Sequence, residues 1–144
     1  MKSITLTRTI IAPIEDVFRT VADIRQFSQA ISYITNVEFL SEQKTGVGTR
    51  FRETRLMRGR EALAVLEVTE HAENDRIRLV CDMHGTVWDT VFTVRDMGGQ
   101  VELLMVMEAR ARKWVSGLMT TLSGALILKA VESDMDTVKV SCKR

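Results

Sequence analysis

Thr86-Val87-Trp88-Asp89-Thr90-Val91-Phe92-Thr93-Val94-Arg95-Asp96-Met97-Gly98-Gly99-Gln100-Val101-Glu102-Leu103-Leu104-Met105-Val106-Met107-Glu108-Ala109-Arg110-Ala111 decides the fold. Side chains of a strand alternate between faces, so Trp88, Thr90, Phe92 and Val94 share one side. Gly98-Gly99 tolerates the positive φ of a two-residue hairpin turn. With that turn, Val94 faces Leu103, Phe92 faces Met105, Thr90 faces Met107 and Trp88 faces Ala109. The opposite face sets Arg95 across from Glu102, an ion pair suited to water. The apolar set therefore points inward, and a one-residue slip would turn it out to solvent.

The same pattern extends upstream. Strands are expected at about 34–43, 48–58, 60–72, 76–84, 86–97 and 100–111. Between them lie Lys44-Thr45-Gly46-Val47, Arg58-Gly59, Glu73-Asn74-Asp75, His84-Gly85 and Gly98-Gly99, each with a Gly or Asn. Short turns join successive antiparallel strands into a meander. Carried across His84-Gly85, the register pairs Cys81 with Trp88 and Leu79 with Thr90. Carried further, it turns Ala62, Ala64, Leu66 and Val68 inward, and then Phe51, Glu53, Arg55 and Met57.

The chain ends differ from this middle. Ile4, Leu6 and Ile10 alternate with threonines, which marks a first strand over Lys2 to Ile10. Pro13 suits a first helical turn, and Glu15 and Asp16 favour the positive end of the helix dipole. Asp23 is placed to cap a second short helix through Phe27, Ala30 and Ile31. From about 113 to 141, Trp114, Leu118, Leu122, Ala125, Leu128, Val131, Met135 and Val138 recur every three or four residues. That helix is roughly 40 Å long and can cross the whole sheet. Val115 to Leu128 is apolar nearly all round; Lys129, Glu132, Asp134, Asp136 and Lys139 are assigned to the outer face of its second half.

Length and composition bound the rest. The chain has 144 residues, 45% hydrophobic and 27% charged, which fits one domain over 1–144. The net charge of +1 supplies no field for nucleic acid or an acidic membrane. No run of 18 apolar residues occurs and the N-terminus has no signal-peptide core, so a cytoplasmic protein without stable membrane insertion is expected. Cys81 and Cys142, the only cysteines, read as buried thiols rather than a disulfide or metal framework.

Several motifs carry a resemblance. Ile11-Ala12-Pro13-Ile14-Glu15-Asp16-Val17-Phe18 opens the chain, and Val21-Ala22-Asp23 with Phe27 follows. Val37-Glu38-Phe39-Leu40 precedes Gly46-Val47-Gly48-Thr49-Arg50-Phe51, then Glu67-Val68-Thr69-Glu70, then Glu132-Ser133-Asp134-Met135-Asp136. In this order they resemble the START-related (SRPBCC) superfamily, and within it the polyketide cyclase/dehydrase and lipid-transport family. Gly98-Gly99-Gln100 departs from the family's usual Gly-Gly-Thr ending, a turn detail. The resemblance implies an α+β helix-grip fold: a curved, seven-stranded antiparallel sheet, two short helices after strand 1, and a long C-terminal helix over a hydrophobic cavity. A shared fold does not imply one function.

No nucleophile elbow, metal-binding helix motif or phosphate-binding glycine loop is present, and neither a catalytic residue, a metal nor a cofactor is expected. His71 and His84 sit near turns and read as solvated, with His84 a candidate at the cavity mouth. Glu53 and Arg55 are the sharper signal, because a buried charge needs a partner. They can satisfy each other, present a carboxylate and a guanidinium to a ligand, or reach water at the sheet rim. Trp88, Thr90, Phe92, Met105 and Met107 are expected on the cavity floor, where Met suits varied apolar shapes. Met57, Leu66, Cys81, Leu118 and Leu122 complete the expected ligand-binding set. Ala62, Ala64 and Ala109 leave space, and Gly117 and Gly124 add room along the helix.

Three functions fit. The first is binding of a small hydrophobic molecule of lipid, polyketide or aromatic type, by a monomer or homodimer. The second is a polyketide cyclase or aromatase, with Glu53, Arg55 or His84 as acid–base groups; it requires polar groups converging in the cavity. The third is a partner-binding protein resembling the ribosome-associated toxin branch, which requires a filled cavity and an exposed apolar patch.

Overall fold

The computed structural model describes residues 2–57, 59–83, 85–111 and 114–142, with the side chains of 2, 57, 83 and 114–126 outside the description. The elements run β1 (Lys2–Ile10), α1 (Ile14–Ala22), α2 (Ile24–Ala30), β2 (Ile34–Phe39), β3 (Arg50–Met57), β4 (Arg60–Ala72), β5 (Arg76–Met83), β6 (Thr86–Asp96), β7 (Val101–Ala111) and α3 (Trp114–Cys142). Strands β2 to β7 form the meander, and β1 joins its far edge to give the order β1-β7-β6-β5-β4-β3-β2. Every pairing is antiparallel. This is the helix-grip architecture.

The turn at Gly98-Gly99 sets the register as alternation requires. Both glycines take positive φ, +77° and +88°, where a Cβ is unfavourable. Val94 pairs with Leu103, Phe92 with Met105, Thr90 with Met107 and Trp88 with Ala109. Arg95 and Glu102 pair on the outer face at 3.3 Å. The next hairpins pair Cys81 with Trp88, then Glu53 with Ala64. Bulges interrupt β4 between Val68 and Glu70 and β2 between Ile34 and Asn36, and bulges bend strands.

Asp23 closes α1 and caps α2, where its side chain accepts from Arg25 N at 3.0 Å. The buried core packs both short helices and the C-terminal half of α3 on the sheet. Ile10, Val17, Ile31, Ile77, Leu103 and Met135 are wholly buried there. Both cysteines are free and buried.

Three expectations need correction. Strand β2 ends at Phe39, not near 43, and β3 begins at Arg50. The connection folds inward instead: Gly48 N donates to Val68 O at 2.9 Å and Thr49 Oγ1 to Gly46 O at 2.8 Å. Main-chain groups there are satisfied across to β4 and within the turn, so they need no ladder with β2. His71 is not solvated; its ring meets Phe18 edge-on at 5.3 Å and its Nε2 lies 3.1 Å from Glu73. Asp134 does not face outward: it is 7% exposed.

Leu103→Ala empties a fully buried site, so it should lower unfolding free energy by about 2–5 kcal/mol. Val140→Ala, at a position 73% exposed, should stay within about 0.5 kcal/mol. Urea unfolding of the two variants checks the difference.

Candidate functional site

Strand β3 sets the site. Its alternation turns Phe51, Glu53 and Arg55 to the concave face. Across β4, Glu53 pairs with Ala64 and Arg55 with Ala62. Two methyl side chains leave open space where larger residues would fill the core. A cavity of about 460 Å³ occupies that space.

The cavity lies between the sheet, the two short helices and α3. Leu66, Cys81, Trp88, Thr90, Phe92, Met105 and Met107 line it with Glu53 and Arg55. Met57, His84, Leu118 and Leu122, also expected at the site, lie outside the described residues or have undescribed side chains. The wall has further members: Val21, Ile24 and Phe27 from the short helices, Ile127, Ala130, Val131 and Asp134 from α3, and Lys44, Thr45 and Thr49 from the β2–β3 connection. The turn residues Lys44 to Thr49 are visible in the sequence, but their inward fold depends on bonds to β4 and on Gln43 and Thr49 side chains bonding the turn's own carbonyls. Asp134 could have been found, since it stands three after Val131 and four before Val138, both buried.

The polar groups converge at one place. Arg55 Nε donates to Glu53 Oε1 at 2.6 Å, and Arg55 Nη1 donates to Asp134 Oδ2 at 3.0 Å. Glu53 and Asp134 are each 7% exposed. Tyr33 braces the cluster: its hydroxyl donates to Asp134 Oδ1, and its ring lies 5.5 Å from the guanidinium. Its carbonyl accepts from Leu56 N at 2.8 Å, which fixes it to β3.

This geometry controls ionisation. Burial opposes the charge on Arg55, but the Glu53 and Asp134 carboxylates outweigh it and hold its pKa above the ordinary arginine value. Burial and then hydrogen bonding to Asp134 push the Tyr33 phenol up to about 12. Burial, then the negative charge of Glu53, push the Cys81 thiol up to about 11. Near neutrality the phenol and thiol therefore stay protonated. Among the described residues, no group of three or more His, Cys, Asp or Glu could hold a metal ion.

The family model for polyketide cyclase/dehydrase and lipid-transport proteins matches residues 1–140. The chain belongs to this family. Solved structures in the START-related superfamily share its fold. A START superfamily protein from Mycobacterium smegmatis is 15% identical with a TM-score of 0.73, covering 96% of this chain and 97% of that one. A protein from Thermus thermophilus is 18% identical with a TM-score of 0.77, covering 96% and 94%. The di-domain ARO/CYC BexL is 14% identical with a TM-score of 0.77, covering 96% of this chain and 45% of BexL. At these identities the likeness is one of fold. Among curated proteins none matches significantly. No helix among the described residues is long and apolar enough to cross a membrane.

Tyr33 is the only tyrosine, so phenolate absorbance reports it alone. Its native titration should centre near pH 12, against the ordinary value of 10.0. The stability linked to this raised pKa is fully present below pH 10 and is lost as pH rises toward 12. Asp134→Asn should bring the midpoint down toward the ordinary value; a native midpoint near 10 in the unaltered protein would contradict the geometry.

Proposed function

We propose that this family member binds a small hydrophobic molecule of lipid, polyketide or aromatic type between its sheet and α3. The observation that carries this is the cavity of about 460 Å³, within the range of small-molecule sites. Its floor of Trp88, Phe92, Met105 and Met107 offers aromatic and pliable contacts. Leu66, Cys81 and Thr90 add contacts from β4, β5 and β6. Glu53 and Arg55 mark the polar end. The ligand-binding unit is the whole chain, acting in the cytoplasm as a monomer or homodimer.

A cyclase or aromatase is the second reading. Glu53, Arg55 and Asp134 do converge at the cavity wall, as acid–base chemistry would need. Yet Arg55 is engaged by both carboxylates, and the neighbouring phenol and thiol are held protonated. That arrangement favours holding a ligand over activating one. A partner-binding role would need a filled cavity, which this space does not favour.

Titration with the neutral apolar fluorophore N-phenyl-1-naphthylamine tests the proposal. One saturable site is expected, with stabilisation of about 2.7 kcal/mol at a hundred times Kd. Ala64→Phe should fill the cavity and weaken binding at least tenfold, roughly what two lost methylenes of contact cost, while the circular dichroism spectrum stays unchanged. Absence of saturable binding, or unchanged affinity in the filled variant, would count against the cavity.

A further inference from the structure

We infer that the ligand ends in a hydrogen-bond donor without negative charge, a hydroxyl or a protonated amine, seated against Glu53. This rests on the cavity-binding function proposed above and specifies the chemistry of its polar end.

Charge is the first argument. Glu53 and Asp134 are two carboxylates, each at least nine-tenths buried, facing one guanidinium, Arg55. With both carboxylates ionised, the cluster carries one excess negative charge at the wall of an apolar cavity. Lys44 also lines the cavity, but its ammonium lies over the Phe39 ring at 5.6 Å and forms no ion pair among the described residues. A ligand carboxylate brought to this end would be a third anion beside two buried carboxylates, where like charges repel strongly.

Hydrogen-bond capacity is the second. Asp134 accepts on both oxygens from Arg55 and also takes the Tyr33 hydroxyl. Glu53 accepts one bond, on Oε1. Its Oε2 has no hydrogen bond among the described residues, and an ionised carboxylate can only accept. A ligand that displaces water from Oε2 must replace the donor, or leave a buried charge underbonded. On the other side, Arg55 Nη2 donates to no described residue. A hydroxyl can donate to Glu53 and accept from this nitrogen. An amine donates and also neutralises the excess charge.

Three ligands of one chain length test this: 1-decanol, decylamine and decanoate, each displacing N-phenyl-1-naphthylamine from the full chain. Decanol and decylamine should bind at least roughly tenfold tighter than decanoate, a conservative measure of like-charge repulsion in a buried site. Glu53→Gln should close most of that gap, because Gln carries no charge and offers its own donor. Glu53→Asp, which keeps the charge, should retain the gap and guards against loss of folding in the Gln variant. Decanoate binding as tightly as decanol would overturn the inference, and so would a gap that survives Glu53→Gln. If the probe binds but none of the three displaces it, the inference also fails while the cavity stands. If the probe itself does not bind, the cavity-binding function falls first.

Discussion

The guanidinium of Arg55 has to be partnered where it lies, and much else follows from that. A buried cation without counter-charges would cost several kcal/mol. Glu53 meets it along the same strand and Asp134 meets it from α3. One cation thus ties the C-terminal helix to β3, the strand beside the β2 edge, on the sheet's concave face. Tyr33 adds a third attachment, from the segment between α2 and β2, and holds Asp134 from the other side. The cavity lies beside this tie, with small Ala62 and Ala64 opposite Arg55 and Glu53. Apolar packing elsewhere sets the stability. This polar anchor places a charged cluster on the wall of a mostly apolar chamber.

The contrast with the convex face is instructive. There Arg78 and Asp89 pair, and Arg76 pairs with Glu70, where solvent reaches the side chains. The hydrogen bond from Arg78 lowers the Asp89 pKa, yet water screens such pairs and they contribute modestly. On the concave face the same residue types act with little screening. Their imbalance, two carboxylates to one guanidinium, there becomes a chemical preference.

Much of this was legible in the sequence, because period-two alternation and glycine turns determine sheet register with little help from tertiary context. Val94 opposite Leu103, Cys81 opposite Trp88, and Glu53 beside Arg55 on the inner face all follow from parity. Asp134 departs from the outer-face expectation for a physical reason. A charge in a helix defaults to solvent, but its spacing from Val131 and Val138 puts it on the buried stripe, and Arg55 makes that burial tolerable. The rim alternative for Glu53 and Arg55 could not be decided from β3 alone, since their exposure depends on α3 lying over them. The inward fold of the β2–β3 connection, which brings Lys44 and Thr45 to the cavity, combines main-chain bonds to β4 with Gln43 and Thr49 side-chain bonds inside the turn, and strand alternation encodes neither.

Membership of the polyketide cyclase/dehydrase and lipid-transport family fits a chamber walled by sheet and helix, and in this chain the charged cluster of Glu53, Arg55 and Asp134 lies on its wall. The most direct test locates a ligand inside it. Methyl-labelled methionine provides eight reporters, of which Met105 and Met107 line the cavity, Met135 sits in the core and Met97 is on the surface. On saturation with N-phenyl-1-naphthylamine, the Met105 and Met107 methyl resonances should shift strongly while those of Met97 and Met135 stay nearly still. Shifts confined to Met97, or unmoved Met105 and Met107 resonances, would mean that the cavity is not where an apolar molecule binds.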